Sequence, residues 1–199
     1  MGRDTLLTAT FGSDTLLKKA LLVLGGSVFI ALAAQVTVPM WPVPVTLQTL
    51  AILLVGFSFG SRMALATMLA YIAQGAAGLP VFANGLNFVA FAGPTAGFLL
   101  GFVAMAWAAG LAAERGIAKG WLSTALVALV LSAAIYVPGI LWPMSITSAF
   151  GLEAGWMGQD MAYYWSYFIA PFLLGDALKA VIAALIVTGA WAALGKRRV

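Results

Sequence analysis

The sequence predicts an all-α, polytopic membrane protein: six transmembrane helices in one bundle, with both termini cytoplasmic. Composition carries the class. Hydrophobic residues make up 63% of the chain and charged residues 8%, against about 25% charged in soluble domains, and the mean hydropathy is +1.05. Six apolar runs, bounded by Gly, Pro or basic residues, carry the span count. The placement of Lys and Arg between those runs carries the orientation.

Residues 1–19 are polar at intervals (Arg3, Asp4, Asp14), with Leu6, Leu7, Leu16 and Leu17 as anchors. They read as a cytoplasmic or interfacial segment, surface-bound or loosely ordered, and residues 20–199 as a single domain. Span 1 is Ala20–Val38, long enough to cross a bilayer as a helix. Lys18-Lys19, this run and Ala31-Leu32-Ala33 also fit a cleaved signal peptide, but the run continues past that site and further spans follow. Pro39, Pro42 and Pro44 then enforce an extended loop, because proline removes amide donors and restricts the preceding residue. Spans 2 and 3, Val45–Phe59 and Met63–Ala77, are short, roughly 24 Å of helix against about 30 Å of hydrocarbon. They are expected to begin below one surface and leave room for a cavity.

Residues 78–87 read as a loop dipping back toward the bundle, with Asn84 and Asn87 available for ligand contact or for turn-making. Span 4, Phe88–Leu111, carries the small pair Gly97 and Gly101, for which close helix packing is a stronger reading than a ligand role. Residues 114–120 form the most charged interior loop. Span 5, Trp121–Trp142, is bent or ended by Pro138 and Pro143, and residues 145–160 form a longer connection with Glu153 and Asp160. Tyr163, Tyr164, Trp165, Tyr167 and Phe168 lie where an interfacial belt would open span 6, within residues 163–194.

Arg3, Lys18 and Lys19 precede span 1; Arg62 separates spans 2 and 3; Arg115 and Lys119 separate spans 4 and 5; Lys196, Arg197 and Arg198 follow span 6. The alternate loops, 39–44, 78–87 and 143–162, have no Lys or Arg, so by the positive-inside rule they face outward. Nine of the ten basic residues obey the rule; Lys179 is the exception. The net charge of +4 is therefore a topology signal and forms no nucleic-acid patch. With no Cys and no His, disulfides, thiolate chemistry and the usual zinc and haem ligand sets are excluded, and no cofactor is expected.

Asp176 and Lys179 lie inside span 6. A charge at the centre of a membrane helix costs roughly 2.5 to 3.5 kcal/mol, so such residues face a bundle interior or cavity. Three apart, they share one helix face. They read either as an architectural ion pair or as part of a polar ligand site. Gln35, Thr46, Gln48, Thr49, Asn84, Asn87 and Thr95 lie on the outward loops and helix ends. Together with the pair they suit a small amphipathic ligand with N–H groups and an oxygen anion or carbonyl. No G-x-x-x-x-G-K-[ST] is present, so any energy input would come from a gradient or a partner.

Four stretches in register carry a resemblance: Pro42-Val43-Pro44-Val45-Thr46-Leu47-Gln48-Thr49-Leu50; Gly78-Leu79-Pro80-Val81-Phe82-Ala83; Gly93-Pro94-Thr95-Ala96-Gly97-Phe98-Leu99-Leu100-Gly101-Phe102; and Gly175-Asp176-Ala177-Leu178-Lys179. They resemble the BioY family, the biotin-specific S components of energy-coupling-factor transporters. The resemblance implies a six-helix bundle of the inner membrane that captures biotin from outside. In most members it docks on a T component with two ATP-hydrolysing subunits, and it is not itself an enzyme. It further implies that Asp176 and Lys179 belong to the biotin site, Asp176 accepting from the ureido N–H groups and Lys179 donating to a ligand oxygen. Asn84 or Asn87 would add a contact; Gln48 and Thr95 are further candidate binding residues from their place on the outward loops and helix ends. Many members have a longer glycine-rich run where this chain reads Ala83-Asn84-Gly85-Leu86-Asn87, and Ala96 and Phe98 stand where Gly and Tyr are frequent.

The resemblance also implies that small residues on the first helix, here Ser27 and Ala31, meet the T component, although packing within the bundle is the stronger reading of any single pair. The lipid bilayer is the other partner, and a homo-oligomer is compatible with the sequence. Two rival readings are an autonomous secondary transporter of biotin or another small vitamin-like ligand, and an assembly protein whose ion pair is purely architectural.

Overall fold

The structure, a computed structural model, describes residues 5–11, 15–150 and 155–196. Arg3, Asp4, Asp14, Glu153, Arg197 and Arg198, read above as signals, lie outside the described residues.

The elements run α1 (Leu6–Phe11), α2 (Leu16–Gln35), β1 (Thr37–Val38), β2 (Val45–Thr46), α3 (Gln48–Phe59), α4 (Ser61–Ala76), α5 (Ala96–Glu114), α6 (Trp121–Ala134), α7 (Tyr136–Phe150), α8 (Met161–Tyr164) and α9 (Ala170–Lys196). A π-helical turn, Trp165–Ile169, joins α8 to α9 in one rod. Among the described residues, four helical stretches are long and apolar enough to cross a membrane: Leu16–Gln35, Ala96–Glu114, Trp121–Ser145 and Met161–Leu194. With α3 and α4 they make a multi-pass bundle.

α3 is too short to span alone, and its burial explains how it is tolerated. At 12 residues it is roughly 18 Å long, and Ala51, Ile52, Leu53, Val55 and Phe57 are all buried against neighbouring helices. Gln48 and Thr49 in its first turn are buried as well, and a short element is tolerated at membrane depth where protein encloses it. α5 is the central helix, packed against α3, α4 and α7. Its small residues allow close approach: a Cβ built on Gly56 of α3 would stand 2.6 Å from Ala109 Cβ.

Four local outcomes depart from the sequence expectation. Span 1 ends at Gln35, and Thr37–Val38 pairs antiparallel with Val45–Thr46, so the proline loop is closed by a two-residue ladder. Span 4 does not begin at Phe88: Phe88–Ala92 is a 3₁₀ turn capped by Asn87, and Gly93-Pro94 delays α5 to Ala96. Span 5 breaks at Ile135, because Pro138 lacks the N–H that would bond Ala134 C=O. The helix then continues through Pro143 to Phe150, consuming part of the expected outward connection. Finally, α1 packs on α3 and α9 with Thr5, Leu6 and Leu7 buried, which removes two adjacent leucines from water.

Arg62, Arg115 and Lys119 lie on the turns at one end. Glu114 Oε1 at the foot of α5 accepts from Ser61 N and Ser61 Oγ, both at 2.8 Å, so it caps α4 beside Arg62. Lys119 lies over the Trp191 ring at 5.2 Å, near the end of α9. By the positive-inside rule this is the inner end.

Candidate functional site

At the opposite end the helices separate around a cavity of about 60 Å³. Its floor is polar. Lys179 Nζ donates to Asp176 Oδ1 at 3.0 Å and to Thr49 Oγ1 at 3.0 Å, and the Tyr136 hydroxyl donates to Asp176 Oδ2 at 2.5 Å. Asp176 and Lys179 are only 6% and 7% exposed, so three helices, α3, α7 and α9, satisfy one ion pair by hydrogen bonds. That is the condition for holding charge in a low-dielectric interior. The Phe98, Phe102 and Phe172 rings form the walls.

The roof is the loop after α4. Phe82 and Ala83 line the cavity, and the Phe82 ring stands edge-on to Tyr71 at 5.2 Å and to Phe91 at 5.5 Å. Its seat exists because residue 75 is glycine; any Cβ there would overlap the ring. Two clamps hold the loop. The Tyr71 hydroxyl donates to Val81 O at 3.0 Å and accepts from Gln48 Nε2 at 3.0 Å. Gln35 Nε2 donates to Phe82 O at 3.0 Å, and Gln35 Oε1 accepts from Gly85 N at 3.0 Å.

Of the residues singled out from sequence, Asp176, Lys179, Gln48, Thr49, Thr46 and Thr95 all line this cavity. The Thr95 hydroxyl makes no hydrogen bond among the described residues, so it is open to a ligand. Asn84 and Asn87 lie outside the lining. Asn84 takes a left-handed conformation, φ 58°, which Asn tolerates in turns. Asn87 Oδ1 accepts from Val89 N at 3.3 Å, and its Nδ2 donates to Gly78 O at 3.4 Å. Gln35 is a clamp on the roof. Ser27 faces into the bundle, where its Oγ accepts from Gln74 Nε2 at 2.9 Å, while Leu21, Leu24, Val28 and Leu32 are the exposed face of α2.

Tyr136 and Tyr71 escaped the sequence reading. The available signal for Tyr136 was a lone phenol in a largely apolar run, two residues before a helix-breaking proline. Tyr71 had none beyond its depth in span 3.

Chemically, the cavity offers a carboxylate acceptor, a cationic donor, a free hydroxyl and an amide between aromatic walls. Fold and cavity together define a multi-pass membrane protein with a polar-floored cavity in the outer half of its bundle.

The chain matches the model of the BioY family over residues 5–196, and it belongs to that family. The biotin transporter BioY of Rhizobium etli is 31% identical over 190 residues, covering 92% of this chain and 90% of its own. The biotin transporter BioY of Rhodobacter capsulatus is 34% identical over 173 residues, 80% of this chain and 85% of its own. A crystal structure at 2.1 Å, described as the S-component for biotin from an ECF-type ABC transporter, superimposes with a TM-score of 0.71 over 88% of this chain and 93% of that one. At 21% identity it speaks to the fold.

Proposed function

We propose that this protein is the substrate-capturing component of a biotin uptake system in the cytoplasmic (inner) membrane, taking biotin from the outer face and delivering it inward. One observation carries the reading: the membrane-embedded charge pair Asp176–Lys179 is satisfied at the floor of a cavity, beside groups that suit a cyclic urea. Asp176 accepts from a ureido N–H, Lys179 donates to a ligand oxygen, Gln48 and Thr95 supply further polar contacts, and the phenylalanine rings enclose the apolar part. Asn84 and Asn87 act through the shape of the roof loop. The relatives bear transporter names, and no catalytic step is assigned to the cavity. The described crystal structure's ECF context supports partners of the T-component and ATPase kind.

The test is equilibrium biotin binding to the purified protein, beside Asp176→Asn and with desthiobiotin as competitor. Binding by the parent and loss of at least about a hundredfold in affinity in a folded Asp176→Asn support the reading, since a buried charge-assisted contact is lost. No binding by a folded parent sinks it. The relatives' plain name of biotin transporter keeps one rival, transport without ATPases. Uptake that persists in cells lacking every coupling subunit and collapses with the proton gradient would establish it.

A further inference from the structure

Asp176 is held by two donors of different origin. Lys179 is three residues along the same helix, so that pairing follows from α9 alone. The Tyr136 contact is made across 40 residues and depends on how α7 lies against α5. There the approach is set by glycine: a Cβ on Gly97 would stand 2.7 Å from Trp142 Cβ, and one on Gly139 would stand 2.6 Å from the Phe98 ring. Tyr136 opens α7 directly after the break at Ile135. Its ring is edge-on to Phe98 at 6.1 Å, and both rings line the cavity.

A carboxylate accepts about four hydrogen bonds. Two directions on Asp176 are filled by Lys179 and Tyr136, one on each oxygen, so its orientation is set before any ligand arrives. Lys179 already balances the formal charge. The phenol adds a donor without adding a charge, which lowers the residual negative potential at the remaining lone pairs.

We infer that Tyr136 is a positioning and specificity-determining residue for the ligand of this cavity: its hydroxyl orients the Asp176 carboxylate and offsets part of its charge, so that the site favours a neutral N–H donor over a cationic one. The inference rests on the biotin reading above.

The test compares biotin with 2-iminobiotin, which carries a guanidinium in place of the ureido group at neutral pH, on the purified full chain and on Tyr136→Phe. Biotin affinity falls about tenfold in the variant, the scale of one hydrogen bond to a charged group. The affinity for 2-iminobiotin falls less, because the exposed carboxylate charge attracts the cation more strongly. The ratio of the two dissociation constants therefore moves toward the cation. A role confined to packing lowers both affinities by one factor, and an unchanged ratio in a folded variant overturns the inference. Tyr136→Met also lacks the hydroxyl but fills space flexibly, so the ratio stays measurable if the Phe variant misfolds. A parent that binds neither ligand overturns the biotin reading itself, whereas a binding parent with unchanged ratios in the variants overturns only the role of Tyr136.

Discussion

At the inner end of the bundle, a Cβ added to Gly110 of α5 would stand 2.6 Å from Ser61 Cα, whereas at the outer end the Phe98 and Phe102 rings of the same helix face a cavity. The inner half is held by small residues in dry contact, Gly56 with Ala109 and Gly110 with Gly60 and Ser61, and by alanines of α9 such as Ala180, Ala183 and Ala184. The outer half is held by side chains that partner one another: Asp176, Lys179, Thr49 and Tyr136 below, Gln48, Tyr71 and Gln35 above. Close packing has one solution and gives a frame. Hydrogen bonds between side chains can be exchanged for bonds to a ligand at little net change. The difference separates what keeps the fold from what lets it bind.

Breaking the outer network should cost most where a charge is stranded. Lys179→Ala leaves Asp176 buried without its cation, and a loss of about 3–5 kcal/mol is expected in thermal unfolding. Replacing both, Asp176→Leu with Lys179→Met, should recover most of that stability and bind no biotin; a double variant as unstable as the single one would show that the pair is architectural.

In the inner half, Gly110→Ala overpacks α5 against the α3–α4 turn and should cost about 1–3 kcal/mol. Its ligand affinity should match the parent's. An equal fall in affinity would mean that the two halves are not separable.

Tyr71→Phe strands Gln48 Nε2 and Val81 O, about 1–2 kcal/mol for unpaired buried groups. The observable is local: faster amide hydrogen exchange at residues 81–86, with inner-half amides unchanged. The smallest effect belongs to Glu114→Gln, which keeps both bonds to Ser61 but removes a negative charge from the N-terminus of α4, worth roughly 0.3–1 kcal/mol. A much larger loss in a melt would place Glu114 in a wider charge network.

Much of the fold was legible because membrane insertion is summed locally. Residues 20–38, 45–59 and 63–77 each announced a helix from their own hydropathy, and Arg62, Arg115 and Lys119 announced the inner turns. Where the reading slipped, a local device competed with hydropathy. Gly93-Pro94 cut the start of span 4, and Pro138, free to end or bend span 5, broke it only at Ile135, so that the helix ran on to Phe150. The roof loop could not be assembled from sequence, since Gln35 reaches Phe82 across 47 residues and nothing near either residue marks the other.

The sequence by itself determined the all-α membrane class, the apolar runs that form the bundle, the loops that carry its basic residues and the presence of Asp176 and Lys179 on one face of the last helix. Each follows from contiguous residues: transfer free energy along a run, charge counts in a loop, the three-residue spacing of a helix. Only the tertiary structure decided that Tyr136 shares Asp176 with Lys179, that Thr49 reaches Lys179 across 130 residues, and that Asn84 and Asn87 shape a turn outside the cavity lining. Those outcomes depend on which face each helix turns to its neighbour, and that is settled by how closely glycines such as Gly97 and Gly139 let the helices approach.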